Sequence, residues 1–431
     1  MKRMWQSSKV FAILVASVAS GAVSLLAGGI AAGAQPSVET PPVLSAKQFL
    51  PPQLLAGPRF RVDEQVPTSD LVARFTLRSD FGAFEAHGVE MLRVRVAELA
   101  AIEQLEATSK TGTFLKAAGS AAARPVQSAS NIIMSPVETA KGIPGGVSRF
   151  YDRLKMGGQH IAEAASDSGK SDEEKAAEVS RRVGSVSVDV LGYDDERRAL
   201  AKSLHVDPYT TNPVLAEKLT DVAWVAFSGR LGVNTLVSVA VPGSMALSAT
   251  SITNDMVWDT KPADLLKRHA ETLAAMGVAD KDTRALLKNQ WYSLTVLTVF
   301  MNGLERLPGA TGRPEVVTLA AGAASEDDAQ FFTGVVQMLA RYQETTGPIV
   351  RLVARGTVIG YNRTGAVVVP APVDYLSWTQ RIGNFARRTD LKAKERSVWL
   401  SGRISPRAKQ EFEALGWEVH EEALRPKAAG S

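Results

Sequence analysis

The long run Leu219–Ser251, in which Asp221 and Arg230 are the only charged residues, constrains this chain more than any other feature. After Arg230 no ionisable side chain follows until Asp255, and apolar and small residues fill the interval. Such a run lies either in the centre of a helical core or against lipid. Scattered serines and threonines, together with Pro242-Gly243, favour burial in a core. The 21 uncharged residues of Leu231–Ser251 keep membrane contact as the alternative.

The first 34 residues have the pattern of a secretory signal peptide. A positively charged start precedes the apolar segment Val10–Ile30, and Ala32-Gly33-Ala34 is a small-x-small cleavage site. The sequence therefore predicts a mature chain that begins at Gln35 in the periplasm. The apolar segment is longer than is usual for a signal peptide, so an uncleaved anchor in the inner membrane is the alternative.

Charge and cysteine content exclude several classes of function. The formal charge is +4, but without Lys2, Arg3 and Lys9 of the signal segment 46 basic residues face 45 acidic ones. The densest basic stretch, residues 387–394, is interpreted as a solvated helix face, so no nucleic-acid partner is expected. The chain has no cysteine. Disulfides, thiolate nucleophiles, iron–sulfur clusters and lipoprotein anchoring are therefore excluded.

Periodicity and capping signals predict an α+β fold that is predominantly α-helical. Leu71–Leu77 alternates with period two, Asp80-Phe81-Gly82 turns the chain, and Val89–Lys110 has helical spacing. Further along, Asn212 and Pro213 have the residue types of a helix cap and a first helical position. The expected order is a signal peptide (1–34), a proline-rich leader (35–58), a β-hairpin plus helix unit (59–110), flexible helical arms rich in Ala, Gly and Ser (111–190), a helical core domain (191–310), a small C-terminal α/β segment (311–424) and a disordered tail (425–431).

Four more local predictions can be checked against a structure. The six prolines between residues 35 and 58 predict an extended spacer with neither helix nor central strand. One helix is expected from Asp280 through Phe300. Ile349–Ile359 is expected to be a strand, and Val373–Arg388 is expected to be mostly helical.

The search for catalytic and metal-binding motifs gives no positive result. The five histidines are interpreted as surface or structural residues because no two have metal-ligand spacing, and no HExxH is present. Ser244 follows Pro242-Gly243 without the second glycine of a nucleophile turn. Gly169-Lys170-Ser171 resembles the end of a phosphate loop, but Ala164 stands where its first glycine belongs. The histidines are His87, His160, His205, His269 and His420.

Acidic residues leave one enzymatic possibility open. Asp194-Asp195-Glu196 and Glu326-Asp327-Asp328 lack the alternating spacing of a calcium loop and are interpreted as charges at helix N-termini. A catalytic pair of carboxylates need not be close in sequence, so a hydrolase with dispersed groups remains an alternative.

Three segments resemble a family of exported bacterial proteins of unknown function. They are SDFGAFEAHG (Ser79–Gly88), GIPGGVSRFYDRL (Gly142–Leu154) and VDPYTTNPVL (Val206–Leu215), and the resemblance extends to about Met338. It implies export and a shared architecture. It implies no activity, cofactor or site residue.

The sequence thus favours an exported envelope protein with a non-catalytic structural or partner-binding role. No catalytic, cofactor-binding or metal-binding residue is assigned, and the expected partner is a protein of the cell envelope. The alternatives are a periplasmic hydrolase and a membrane-active protein that uses Leu219–Ser251.

Overall fold

The computed structural model describes residues 38–68, 71–120, 193–228 and 251–424, without the side chains of 119–120, 228 and 251–254. The chain has an α+β fold with a helical majority, as predicted. Residues 1–37, which include the predicted signal peptide, lie outside the described residues, as do Gly142, His160, Ser168–Ser171, Ser244 and the tail after Leu424.

A four-stranded antiparallel sheet forms the N-terminal part. Its order is β2-β3-β5-β6, and a separate two-stranded pair joins β1 to β4. The hairpin of β5 and β6 confirms the period-two prediction, because Phe75 and Leu77 are buried on one face. Its turn is tight, since only Asp80 and Phe81 separate the strands. The strands are β1 Val43–Ser45, β2 Ala56–Gly57, β3 Phe60–Val62, β4 Gln65–Pro67, β5 Arg74–Ser79 and β6 Gly82–His87, with the short helix α1 Pro52–Leu55 before β2.

The proline-rich leader is not a free spacer in its described part. β1 pairs with β4 in antiparallel register, and α1 begins with Pro52 at its first position. Ala46 and Leu50 are buried in the same core as the hairpin. The expectation of an extended spacer is therefore wrong for 43–58, because its apolar residues find partners and its prolines fall where no backbone donor is needed.

Four helices share one hydrophobic core with this sheet. The central helix α2 packs on β5 and β6 and on α5. Residues 219–228 of the run lie in α5, and most side chains of 219–227 are buried in a core that they share with α2 and the hairpin. The rest of the run, 229–250, is outside the described residues. The helices are α2 Val89–Ser109, α3 Gly112–Ser120, α4 over residues 193–203 and α5 Pro213–Ser228.

Six further helices build a second core. The helix predicted from Asp280 to Phe300 is two helices, because Asn289 binds the carbonyls of Ala321 and Ala323 and Ser293 caps a new helix. Gly277 ends α7 at a φ of 81°, a conformation that glycine adopts without strain. The helices are α6 Ser251–Asp259, α7 Pro262–Ala275, α8 Asp280–Leu287, α9 Leu294–Glu305, α10 Arg313–Ala320 and α11 Glu326–Thr345.

A mixed five-stranded sheet of order β13-β11-β9-β8-β7 forms the C-terminal module. β9, β11 and β13 are parallel, whereas β7, β8 and β9 are antiparallel neighbours. Helices α12 and α13 cover one face, and α11 packs on the other. The elements are β7 Ile349–Ala354, β8 Val358–Asn362, β9 Val367–Ala371, β10 Tyr375–Leu376, α12 Gln380–Ala386, β11 Arg396–Leu400, β12 Arg403–Ile404, α13 Pro406–Ala414 and β13 Glu418–His420.

Two of the local predictions fail in this module. The expected strand 349–359 is a hairpin, because the chain turns at Gly356 with a φ of 76°. The expected helix 373–388 is confined to α12. Its first residues form β10 instead, which pairs with β12 while the Asp374 N–H donates to the carbonyl of Leu71. These contacts with distant residues outweigh the local helical preference.

Candidate functional site

The turn between α4 and α5 lies where the N-terminal unit meets the second helical core. Trp258 Nε1 donates to the carbonyl of Val206 at 2.9 Å, which ties the turn to α6. Asn212 Oδ1 accepts from the N–H groups of Val214 and Leu215, so Asn212 caps α5 and Pro213 opens it, as predicted. The turn is thus fixed at both ends, and its polar side chains have defined positions.

Glu98 on α2 is the centre of a buried cluster, which we call the polar junction. Its Oε2 accepts from Arg95 Nη1 at 3.0 Å and from Asn212 Nδ2 at 2.8 Å, and its Oε1 accepts from Thr210 Oγ1. The Glu98 residue is only 2% exposed. The negative charge is therefore balanced by one arginine and by two donors from the turn. The polar junction comprises Arg95, Glu98, Asp207, Thr210, Asn212 and Thr295.

Asp207 is the ionisable group of the polar junction with the most perturbed acidity. Burial raises its pKa to about 6, and the nearby Glu98 charge adds to this effect. Its Oδ1 accepts from the Tyr209 N–H at 2.8 Å and from Thr295 Oγ1 on α9 at 2.5 Å, and both bonds act in the opposite direction. Carboxyls with such pKa values occur at functional sites, but also in structural networks. With 9% exposure, Asp207 is reached only if the surrounding elements separate.

A second buried ion pair adjoins the junction on α4. Arg198 binds Asp194 and, at 2.5 Å, Asp195, and its Nε donates to the carbonyl of Trp258 at 3.1 Å. Burial raises the pKa of the Asp194 carboxyl. Asp194 and Asp195 therefore act as ion-pair partners of Arg198 within α4, and Arg198 joins α4 to α6.

The acidic start of α11 joins the same region from the other core. Ser325 caps the helix, so Glu326-Asp327-Asp328 occupies its first turn as predicted. Glu326 accepts from Thr211 Oγ1 at 2.9 Å, and Thr211 in turn accepts from Arg95 Nη2 at 2.7 Å. Asp327 accepts from His87 Nδ1 on β6 at 2.8 Å, and this contact raises the pKa of His87. The triplet therefore connects the two cores.

The other described histidines have structural surroundings, in line with their interpretation. His269 is buried beside Thr298, and burial lowers its pKa to about 4. His420 pairs with Glu418 and lies over Trp399, whereas His205 adopts a positive φ in the turn. Within the described ranges, no three acidic or histidine side chains come together as metal ligands would. No helix within those ranges is long and apolar enough to cross a bilayer.

Sequence reasoning missed the residues of the polar junction. It assigned no role to Arg95 or Glu98, but both are buried. A signal was available, because Arg95 falls between Leu92 and Leu99 at spacings of three and four, on the apolar stripe of the helix. A charge on such a stripe predicts a buried partner.

No protein-family model matches this chain, nor does any curated protein or any solved structure. Its function therefore has to be inferred from its own residues.

Proposed function

We propose that this chain is an exported protein of the cell envelope that works by binding a protein partner and not by catalysis. The observation that carries the proposal is the saturation of the polar junction. Glu98 has three donors inside the chain, and Asp207 has two. Side chains whose hydrogen bonds are made within the protein hold its elements together and have few donors or acceptors left to bind a substrate.

Export is supported by the charged start, the apolar segment and the small-residue site of the first 34 residues. The described fold begins at Val38, and Glu39 already bonds to Trp378. Cleavage before Gln35 would therefore leave all of the described fold in the mature protein.

Partner binding is supported by Trp291, which is 40% exposed and is the most exposed of the described tryptophans. The backbone N–H of Trp291 donates to Asn289 Oδ1 at 2.9 Å, and this bond fixes the backbone of the loop between α8 and α9. An exposed aromatic side chain on a fixed loop is typical of residues that anchor protein interfaces.

A hydrolase remains the second candidate, because Glu98 and Asp207 form the dispersed carboxylate pair that such an enzyme could use. Their burial favours the structural role. The burial of residues 219–227 favours a role of this segment in the protein core over contact with a membrane, which the membrane-active alternative would need.

Site-specific photo-crosslinking in intact cells tests the proposal. A photoreactive residue at Trp291 should give a discrete adduct with a second protein in the exported chain, and none when the signal segment is deleted. The matched control is the same residue at Leu115, which is also exposed but lies on α3. Equal adduct patterns at both positions, or no adduct at either, would contradict a partner site at Trp291.

A further inference from the structure

The segment Val38–Ser45, which we call the strap, joins the strand pair β1–β4 to the C-terminal module. At one end its residues 43–45 form β1 beside β4, and Thr68 Oγ1 donates to the carbonyl of Pro42 at 2.7 Å. At the other end the Glu39 N–H donates to the carbonyl of Trp378 at 2.8 Å. The strap therefore contacts a residue more than 300 positions later in the chain.

The Glu39 carboxylate provides the side-chain bonds of this contact. Its Oε2 accepts from the Trp378 N–H and from Ser405 Oγ, both at 2.5 Å. Ser405 also caps α13 by accepting from the Ala408 N–H at 3.0 Å. One carboxylate oxygen thus links the loop before α12 to the loop before α13.

These two loops follow the carboxyl ends of the parallel strands β9 and β11. In α/β sheets this edge is the usual position of ligands. Two buried hydroxyls lie in these loops, because Ser377 and Ser405 are 2% and 3% exposed. Among the described residues, Ser377 Oγ has no hydrogen-bond partner. One hydroxyl at this edge, that of Ser377, is thus available to a ligand, and the strap contacts the neighbouring Trp378 of the same loop.

The strap itself is weakly held compared with the elements around it. Val38 and Val43 have 48% and 60% of their surface exposed. Segments that bury little apolar surface open at a lower free-energy cost than the whole protein.

We propose that the strap covers this edge of the sheet reversibly. It moves away when the hydrogen bonds of Glu39 break, while both cores stay folded. A competing carboxylate or N-terminal trimming past Glu39 would have the same effect. This inference goes beyond the proposed function and does not depend on it, because it needs neither export nor a protein partner.

Amide hydrogen exchange on the full chain tests the closure. Glu39→Ala should raise the exchange rate at the Trp378 amide by about tenfold to a hundredfold, the loss expected for a charge-assisted bond. Exchange within α11 should not change. Glu39→Gln should give a smaller increase, because it keeps one acceptor oxygen without the charge.

Glu421→Gln is the matched control. Glu421 accepts from the Ile404 N–H at 3.3 Å and from Lys409 Nζ at 3.2 Å, and both partners lie within the C-terminal module. It should leave the Trp378 amide unchanged. Unchanged exchange at Trp378 in Glu39→Ala would overturn the proposal. Faster exchange in α11 as well would also overturn it, since the strap would then belong to the cooperative core.

Discussion

Replacement of Glu98 by alanine tests whether the polar junction holds the two cores together. The substitution leaves the Arg95 guanidinium buried without its carboxylate and removes the acceptor of Thr210 and Asn212. Breaking a buried ion pair from one side costs about 3–5 kcal/mol. Each orphaned donor adds about 1–3 kcal/mol, but these costs overlap because the groups share one network. We expect a total loss of about 4 kcal/mol, which is a large part of the stability of a typical domain.

The assay is urea unfolding followed by tryptophan fluorescence and by circular dichroism, with the midpoint and slope fitted together. The matched control is Glu90→Ala on the same helix, where the carboxylate is exposed and 3.6 Å from Arg93. It should cost less than about 1 kcal/mol. A loss below about 1 kcal/mol for Glu98→Ala would refute the reasoning, because the junction would then contribute no net stability.

Three further predictions concern single groups. Burial raises the folded pKa of Asp207 from 3.8 to about 6, so ionisation of this carboxyl lowers the stability of the fold as pH rises through that interval. In urea titrations, Asp207→Asn should leave the stability unchanged near pH 4 and increase it by about 2–3 kcal/mol at pH 8. Burial also raises the pKa of Asp374 to about 6, but each of its carboxyl oxygens accepts a hydrogen bond from a backbone N–H. Asp374→Asn should therefore destabilise the fold at pH 8, because the side-chain nitrogen of asparagine cannot accept a hydrogen bond. An equal gain in stability from Asp207→Asn and Asp374→Asn would contradict this. Asp327 raises the pKa of His87, so the ion pair contributes its full stability below about pH 6.5 and loses it as pH rises through the folded pKa of His87. In thermal unfolding, His87→Ala should cost up to about 1 kcal/mol at pH 5.5 and nothing near pH 9.

Local signals in the sequence predicted the elements whose boundaries depend on nearby residues. Asn212-Pro213 opens a helix as expected, Ser405-Pro406 opens another with the same two residue roles, and Gly277 ends one. The alternation of Leu71–Leu77 placed Phe75 and Leu77 on the buried face of a hairpin. In each case the decisive hydrogen bond or side-chain period spans only a few residues.

The failures share a different cause. The break at Asn289 depends on two carbonyls more than 30 positions away, and β10 replaces a helix because it pairs with β12 and Leu71. The polar junction also depends on distance, since Glu98 meets Asn212 over 114 positions. The position of Arg95 on the apolar stripe of its helix indicates a buried charge, but no local pattern in a single sequence records which distant residues it and Glu98 meet.

The most direct test of the central claim is fractionation of cells that carry a C-terminally tagged chain, with a carbonate wash of the membranes and N-terminal sequencing of the product. The account predicts a shortened protein that begins at Gln35 in the soluble periplasmic fraction. Full-length protein in the cytoplasm would contradict it. Full-length protein in the washed membranes would contradict cleavage and favour an N-terminal anchor, and a chain that begins at Gln35 in those membranes would favour insertion of the run Leu219–Ser251.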